Sequence, residues 1–194
     1  HTFDLFHYMF GRTATVYAAV RTFEPLRYQD PQTLSGPTPS DVEDAAIAVL
    51  TFESGLIANF TWTQAAPGKE FRRRRYYGSA GSLDEEGLHR RDGAFVSSAE
   101  LQEQFLASLT PEQKETLFPY DTRDPVVVEI VDFVRAVRDG TAPEVDGREG
   151  LAAMAVSEAI YESEHAGTPI KVADVEAGRV RAAQRDIDAH WGLL

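Results

Sequence analysis

Hydrophobic and polar positions along this chain change period twice. In HTFDLFHYMFG, residues 1–11, Phe3, Phe6 and Phe10 recur at helical spacing within one narrow arc, while His1, Asp4 and Tyr8 line the opposite side. The spacing predicts a helix with one packing face and one polar face, stopped by Gly11. TATVYAAVRTF, residues 13–23, then alternates and is rich in β-branched and aromatic residues, which predicts a strand. EPLRYQDPQTLSGPTPSD, residues 24–41, carries four prolines and few apolar positions, so it reads as a long loop, a candidate lid or partner-contacting arm. VEDAAIAVLTFESGLIANFTWTQ, residues 42–64, predicts two strands joined at Glu53-Ser54-Gly55, where glycine supplies the positive φ of a short hairpin turn. In the first of these strands Ala46, Ala48, Leu50 and Phe52 take one side and Ala45, Ile47 and Val49 the other. A sheet apolar on both sides is expected to be covered on both, by its own helices and by something else. FRRRRYY, residues 71–77, reads as a further strand, and GSAGSLDEE turns the chain into the next.

From about Ser98 the period becomes helical. AELQEQFLASL predicts a short helix, and TPEQKETLF another with Thr110 as N-cap and Pro111 at the first helical position. RDPVVVEIVDFVRAVRDG places Val127, Ile130, Val131, Val134 and Val137 at helical spacing before Gly140. GREGLAAMAVSEAIYESEHAG predicts a long helix ending at Gly167, TPIKV a short strand or extended tail, and residues 175–194 a last amphipathic helix. A helix, then consecutive strands, then helices describes an α+β fold with an open, predominantly antiparallel or mixed sheet. The helices are expected to cover one sheet face, which leaves the other available for oligomerisation.

Composition narrows the partners. With 194 residues, 43% hydrophobic and 26% charged, the chain suits one soluble globular domain with a real core. A formal net charge of −12 argues against nucleic acid or an anionic membrane, which need a basic surface, and favours a cytoplasmic small-molecule protein. The absence of cysteine excludes disulfides, thiolate catalysis and cysteine-ligated metal. No stretch approaches a membrane span, and no signal peptide is visible.

Several stretches, in order, resemble the C-terminal domain of the glucose-fructose oxidoreductase and inositol dehydrogenase family (Gfo/Idh/MocA). The family pattern G-x-H-x-x-D-L-x-x-[WY]-x-x-G is similar to His1, Asp4, Leu5, Tyr8 and Gly11. VEDAAIAVLTFESGLIANFTWT is similar to its D-x-x-x-x-x-L-x-F-x-x-G hairpin, and YYGSAGSL to its I-x-G-x-x-G-S-L turn. PEVDGREGLAAMAVSEAIYESEHAGTPIKV resembles the terminal segment, with a G-x-x-G helix start and a closing Gly-x-Pro strand. None of these motifs is specific alone; four in order across residues 1–172 are a strong joint signal, with residues 173–194 a helical extension outside the pattern. The resemblance implies a preceding Rossmann domain that binds NAD or NADP. This chain has no G-x-G-x-x-G between a strand and a helix, so it is expected to hold no Rossmann domain and no cofactor site of its own. On this reading the histidine start marks a chain cut inside the active-site motif, and the fragment alone is expected to be inactive.

The resemblance also assigns roles. It makes His1 the catalytic residue that takes or returns a substrate hydroxyl proton, work that suits an imidazole with an ordinary pKa of about 6.5. The plain alternative is a frayed terminal residue. Asp4, one turn on, orients His1 or bonds a sugar hydroxyl, or else is a first-turn carboxylate favoured by the helix dipole. Trp62 and Gln64 share a strand face with Phe60 and could line a sugar pocket, although core or interface packing is the commoner use of such rings. His7 falls cleanly on neither face and reads as a surface histidine. Arg72 to Arg75, in a strand, would point alternately and pair with acidic neighbours instead of forming one anion site. Asp146 and Glu149, after Pro143 and Glu144, read as helix capping, and Glu164-His165 lacks the H-E-x-x-H pattern. His1 and Asp4 have no third partner at metal-ligand spacing, so no metal is expected. The expected partners are a sugar, cyclitol or related polyol and a second copy of the chain docked on the open sheet face. The rival reading is a non-catalytic dimerising or carbohydrate-binding module derived from such an enzyme.

Overall fold

A computed structural model describes residues 1–65 and 72–193. The first half runs α1 (Thr2–Phe10), β1 (Thr13–Arg21), β2 (Leu26–Asp30), β3 (Ser35–Pro39), β4 (Ala45–Phe52) and β5 (Ile57–Thr63). Four short strands follow: β6 (Tyr76–Gly78), β7 (Gly81–Leu83), β8 (Gly87–Arg90) and β9 (Phe95–Ser97). The remainder is mainly helical: α2 (Ser98–Ser108), α3 (Pro111–Leu117), α4 (Pro125–Asp139), α5 (Gly147–Ala166), β10 (Ile170–Lys171), α6 (Val172–Glu176) and α7 (Arg185–His190). The chain divides into two compact units, residues 1–68 with 145–194, and residues 69–144.

The first unit is built on an antiparallel sheet in the order β10-β1-β4-β5. The alternation read from the sequence decides its faces. Val16, Ala18 and Val20 of β1 and Ala46, Ala48, Leu50 and Phe52 of β4 are buried with Phe3 of α1 and Ala155, Val156, Ala159 and Ile160 of α5. Gly55 turns β4 into β5 with φ 85°, as the hairpin requires. The helices thus cover one face. On the other, Tyr17, Ile47, Val49 and Ile57 stand exposed.

Beyond the two residues of β10, helix α5 completes the edge of β1 with side chains. Ser163 Oγ accepts the Ala18 N–H at 3.0 Å and donates to the Thr168 carbonyl at 2.9 Å, and Glu164 accepts the Val20 N–H at 2.9 Å. An exposed strand edge is closed in this way without another strand.

Three expectations need correction. Residues 24–41 are not a plain loop: β2 and β3 form a hairpin, with Leu26 opposite Pro39 and Tyr28 opposite Pro37. Of the four prolines that suggest a loop, Pro25 and Pro31 flank β2, while Pro37 and Pro39 lie on β3, which has no partner on its far side among the described residues, so the missing N–H removes no ladder bond there. Asp30 shapes the turn by accepting the Gln32 N–H and the Thr33 hydroxyl. Arg72 to Arg75 are not strand residues; the strand begins at Tyr76, and Phe71 lies outside the described residues. The last helix is two short ones, because Gly178 turns the chain at φ 67° and the backbone N–H groups of Ala182 and Ala183 bond the buried Glu162 carboxylate. Leu194, at its end, lies outside the described residues.

The second unit holds an antiparallel sheet in the order β6-β7-β8-β9, followed by α2, α3 and α4. Thr110 caps α3 and Gly140 ends α4 in the left-handed conformation, as the sequence predicts; the structure adds Gln113 to the Thr110 capping box and Asp124 as the cap of α4. Gly81 is obligatory, since a Cβ there would lie 2.3 Å from the His89 carbonyl oxygen.

Candidate functional site

Helix α1 sets the geometry of the candidate site. Phe10 packs on Phe52 with ring centroids 5.7 Å apart, and Phe3 packs on Phe60 at 5.0 Å. Because Phe60 is opposite Ala48 on β4, these two contacts lay the helix along the sheet with its N-terminus toward Thr63 and its C-terminus toward Phe52. Trp62 is two residues beyond Phe60 on the same face, so it stands at the end of the sheet toward which the N-terminus of α1 runs. The ring is 37% exposed and is not part of the buried core.

The His1 carbonyl accepts the Leu5 N–H at 2.9 Å, which makes His1 the N-cap, and its exposed side chain makes no capping bond. Asp4 is half-buried in the first turn, one helical step away on the same face, and Tyr8 follows with 82% of its surface exposed. The polar stripe of α1 thus runs the length of the helix, from exposed His1 at the Trp62 end of the sheet through half-buried Asp4 to exposed Tyr8. An open depression of about 560 Å³ lies within the second unit, lined by Tyr76, Tyr77, Leu83, Leu88 and Arg90, and none of His1, Asp4 or Trp62 borders it.

The supporting residues were less legible. Asp44 is fully buried at the start of β4; its carboxylate accepts the N–H groups of Phe23 and Glu24 at 2.8 Å each and faces the Arg27 guanidinium at 3.4 Å. Its backbone carbonyl accepts the Gln64 N–H and its N–H donates to Arg21, so one residue ties the ends of β1, β4 and β5 to the base of the β2–β3 hairpin. The Phe23 N–H, then the Glu24 N–H and Arg27, hold this carboxyl below the usual carboxylate range against the opposing effect of burial. Asp44 is the aspartate of the hairpin pattern, and that was the only signal of its importance in the sequence.

His7 corrects another expectation. It is not a free surface residue: its Nε2 lies 3.3 Å from the Thr13 backbone nitrogen and 3.2 Å from Thr13 Oγ1, and its Nδ1 is buried without a hydrogen-bond partner among the described residues. Arg12 bonds Glu149 of α5 at 3.1 Å, closing the same corner. No periodicity links residue 7 to residue 13. Asp146 caps α5 by accepting the Arg148 and Glu149 N–H groups, as the sequence suggested.

Among the described residues no cluster of three metal-ligating side chains is present. No helix among them is long and apolar enough to cross a membrane. Their strand-to-helix junctions, at Ser97 and Lys171, carry no glycine turn, and Gly78 and Gly81 flank a strand-to-strand turn.

Residues 1–172 match the C-terminal alpha/beta domain of the Gfo/Idh/MocA oxidoreductase family, and the chain belongs to that family. A comparison with curated protein sequences returns no match. Among solved structures, an oxidoreductase domain protein from Kribbella flavida is 25% identical with a TM-score of 0.64, over 89% of this chain and 48% of that one. An oxidoreductase from Agrobacterium radiobacter in complex with NAD+, L-tartaric acid and magnesium is 17% identical with a TM-score of 0.61, over 89% of this chain and 47% of that one. Levoglucosan dehydrogenase in complex with NADH and L-sorbose is 20% identical with a TM-score of 0.60, over 87% of this chain and 47% of that one. The chain spans about half the length of these proteins.

Proposed function

We propose that this chain is the substrate-side and oligomerisation half of an NAD(P)-dependent oxidoreductase acting on a sugar, a cyclitol or a related polyol. The reading rests on one observation above others: in a chain of this family, His1 and Asp4 share the polar face of α1 at the end of the sheet where Trp62 stands. In it, the His1 imidazole takes the proton of a substrate hydroxyl as the carbon beneath is oxidised, and returns it in the reverse direction. Asp4 orients that ring or bonds a neighbouring hydroxyl, and Trp62 offers a flat apolar surface to the C–H face of a ring. NAD or NADP is held mainly by an N-terminal cofactor domain outside this chain; the chain's own share of the chemistry is the proton. The polyhydroxylated ligands of the two similar structures, L-sorbose and L-tartaric acid, support the substrate class. Residues 1–172 form the functional domain, residues 173–194 a helical extension, and the protein works in the cytoplasm.

The decisive test is His1→Ala in the complete protein. Turnover should fall roughly 100-fold to 10,000-fold, the range for loss of a positioned acid–base group, with a much smaller change in KM. Turnover near that of the parent would remove His1 from the mechanism. The chain alone, titrated with NADH and NADPH by calorimetry, should show no saturable micromolar binding.

A second reading, a non-catalytic module that dimerises or binds carbohydrate, draws on the open sheet face, where Tyr17 and Ile47 are 51% and 56% exposed. Both readings place a second copy on that face. They part at catalysis: a module would leave turnover in the complete protein indifferent to His1.

A further inference from the structure

Helix α1 is joined to β1 by only Gly11 and Arg12, and at that corner the sheet is irregular. Thr13 pairs with Phe52, but the next register pair is Thr15 with Thr51, so β1 carries one extra residue in a β-bulge. Beside the bulge, the Thr13 N–H points to His7 Nε2 at 3.3 Å. A backbone N–H can only donate, so Nε2 must be the unprotonated nitrogen, and the neutral ring carries its proton on Nδ1. The Thr13 hydroxyl, 3.2 Å from the same nitrogen, agrees with an acceptor there. Thr13 is itself buried, so its N–H has no recourse to water.

We propose that His7 is a pH-sensitive positioning residue: as the neutral Nδ1–H imidazole it accepts the Thr13 amide proton at the bulge, and so latches α1, with His1 and Asp4, onto the sheet. The proposal deepens the oxidoreductase reading and rests on it only for what α1 carries. A second proton on His7 turns Nε2 into a donor facing a donor, which breaks the latch and orphans a buried N–H. It also adds a positive charge beside Arg12. Glu149, Asp4 and Glu176 oppose this by favouring the charged ring, but Glu149 is already bonded to Arg12. Burial, followed by Arg12, prevails and holds the His7 pKa below its ordinary value of 6.5. The sign follows: the unfolded chain takes up the proton first, so the stability from the latch is whole above about pH 6.5 and is lost as pH falls below it.

The latch is read in the full chain by NMR, independently of any activity. The His7 ring should show the Nδ1–H tautomer at pH 7.5 and titrate below about pH 6.5. The protection factor of the Thr13 amide should drop roughly tenfold between pH 7.5 and pH 5.5. In His7→Gln, whose Oε1 reaches the place of Nε2, protection should persist and no longer change with pH. In His7→Leu it should be low throughout; if that variant does not fold, His7→Gln and the parent titration decide the matter. An Nε2–H tautomer, a midpoint at or above 6.5, or unchanged Thr13 protection across the titration would overturn the proposal. In the complete protein, His7→Gln should remove the His7 contribution to the acid limb of kcat with little change in KM. If the ring and the amide behave as stated while kcat is indifferent to His7, the latch stands and the assignment of α1 to catalysis falls.

Discussion

Leu50 and Val49 are neighbours on β4, equally apolar, with opposite fates. Leu50 is completely buried in the cluster closed by α1 and α5, whereas Val49, turned to the other face of the sheet, keeps 42% of its surface exposed. The same division runs across the sheet, with Val16 and Ala48 on the inner side and Tyr17 and Ile47 on the outer. Strand alternation assigns residues to two faces but does not say what covers either. The inner face is closed within the chain by rings set at helical spacing on α1. Among the described residues of the first unit nothing closes the outer face, and an antiparallel sheet can stand with one face in water. The apolar character of that face is what the proposed second copy rests on.

The comparison breaks most sharply in the core. Leu50→Ala should cost about 2–5 kcal/mol, the range for a buried leucine whose cavity cannot collapse fully, while Val49→Ala should cost less than about 1 kcal/mol. Denaturant unfolding of the two variants side by side checks this. Equal losses would mean that the outer face is as closed as the inner.

A charge on the outer face comes next. Ile47→Asp should weaken self-association by roughly 30-fold or more, as at a central interface position, without unfolding the chain. Light scattering at low micromolar concentration reads the outcome, since a two-fold contact uses the same patch twice. A parent mass near 21.5 kDa at every concentration would dismiss the dimer. Unfolding of the variant would place Ile47 in the core instead.

Asp44 sharpens the comparison at the sheet's end. Asp44→Ala removes the acceptor of two backbone N–H groups and the partner of Arg27, and should lower the melting temperature by several degrees. Since the folded protein holds this carboxyl below its ordinary range, its contribution is present above about pH 4 and is lost as pH falls further. Thermal melts from pH 6 to pH 3 should show the parent losing its advantage over the variant.

What the sequence made legible was whatever a local period or a cap dictates. Phe3, Phe6 and Phe10 gave α1 and its packing side, alternation gave β1, β4 and β5, and Thr110, Asp146 and Gly167 marked helix ends. The β2–β3 hairpin was hidden because proline argues against a strand unless the edge is known to be free. Arg72 to Arg75 adjoin the strand that begins at Tyr76 but do not extend it, since a run of four charges has no period. Of the site, the His1 and Asp4 face was visible from spacing. The residues that hold it were not: His7 reaches Thr13 through a bulge, and Asp44 reaches Phe23 across 21 positions, contacts that only the folded chain brings together.

The smallest effect is the most discriminating. Thr15 and Thr51 face each other across β1 and β4, with their hydroxyls hydrogen-bonded on the outer face. Cross-strand threonine pairs of this kind are worth about 0.2–1 kcal/mol. Thr51→Val keeps the β-branched shape and removes one hydroxyl. If the face is open, water takes over the Thr15 hydroxyl, and unfolding should show a loss under about 1 kcal/mol. If a second copy covers this end of the face, the orphaned hydroxyl is shut away from water, and the loss should rise toward the roughly 1–3 kcal/mol of a buried unsatisfied group. Measured well below and well above the concentration at which the chain associates, the variant should move from the first value toward the second. A large loss that does not depend on concentration would mean that the chain closes its own outer face, and the contrast between Leu50 and Val49 would then be one of degree.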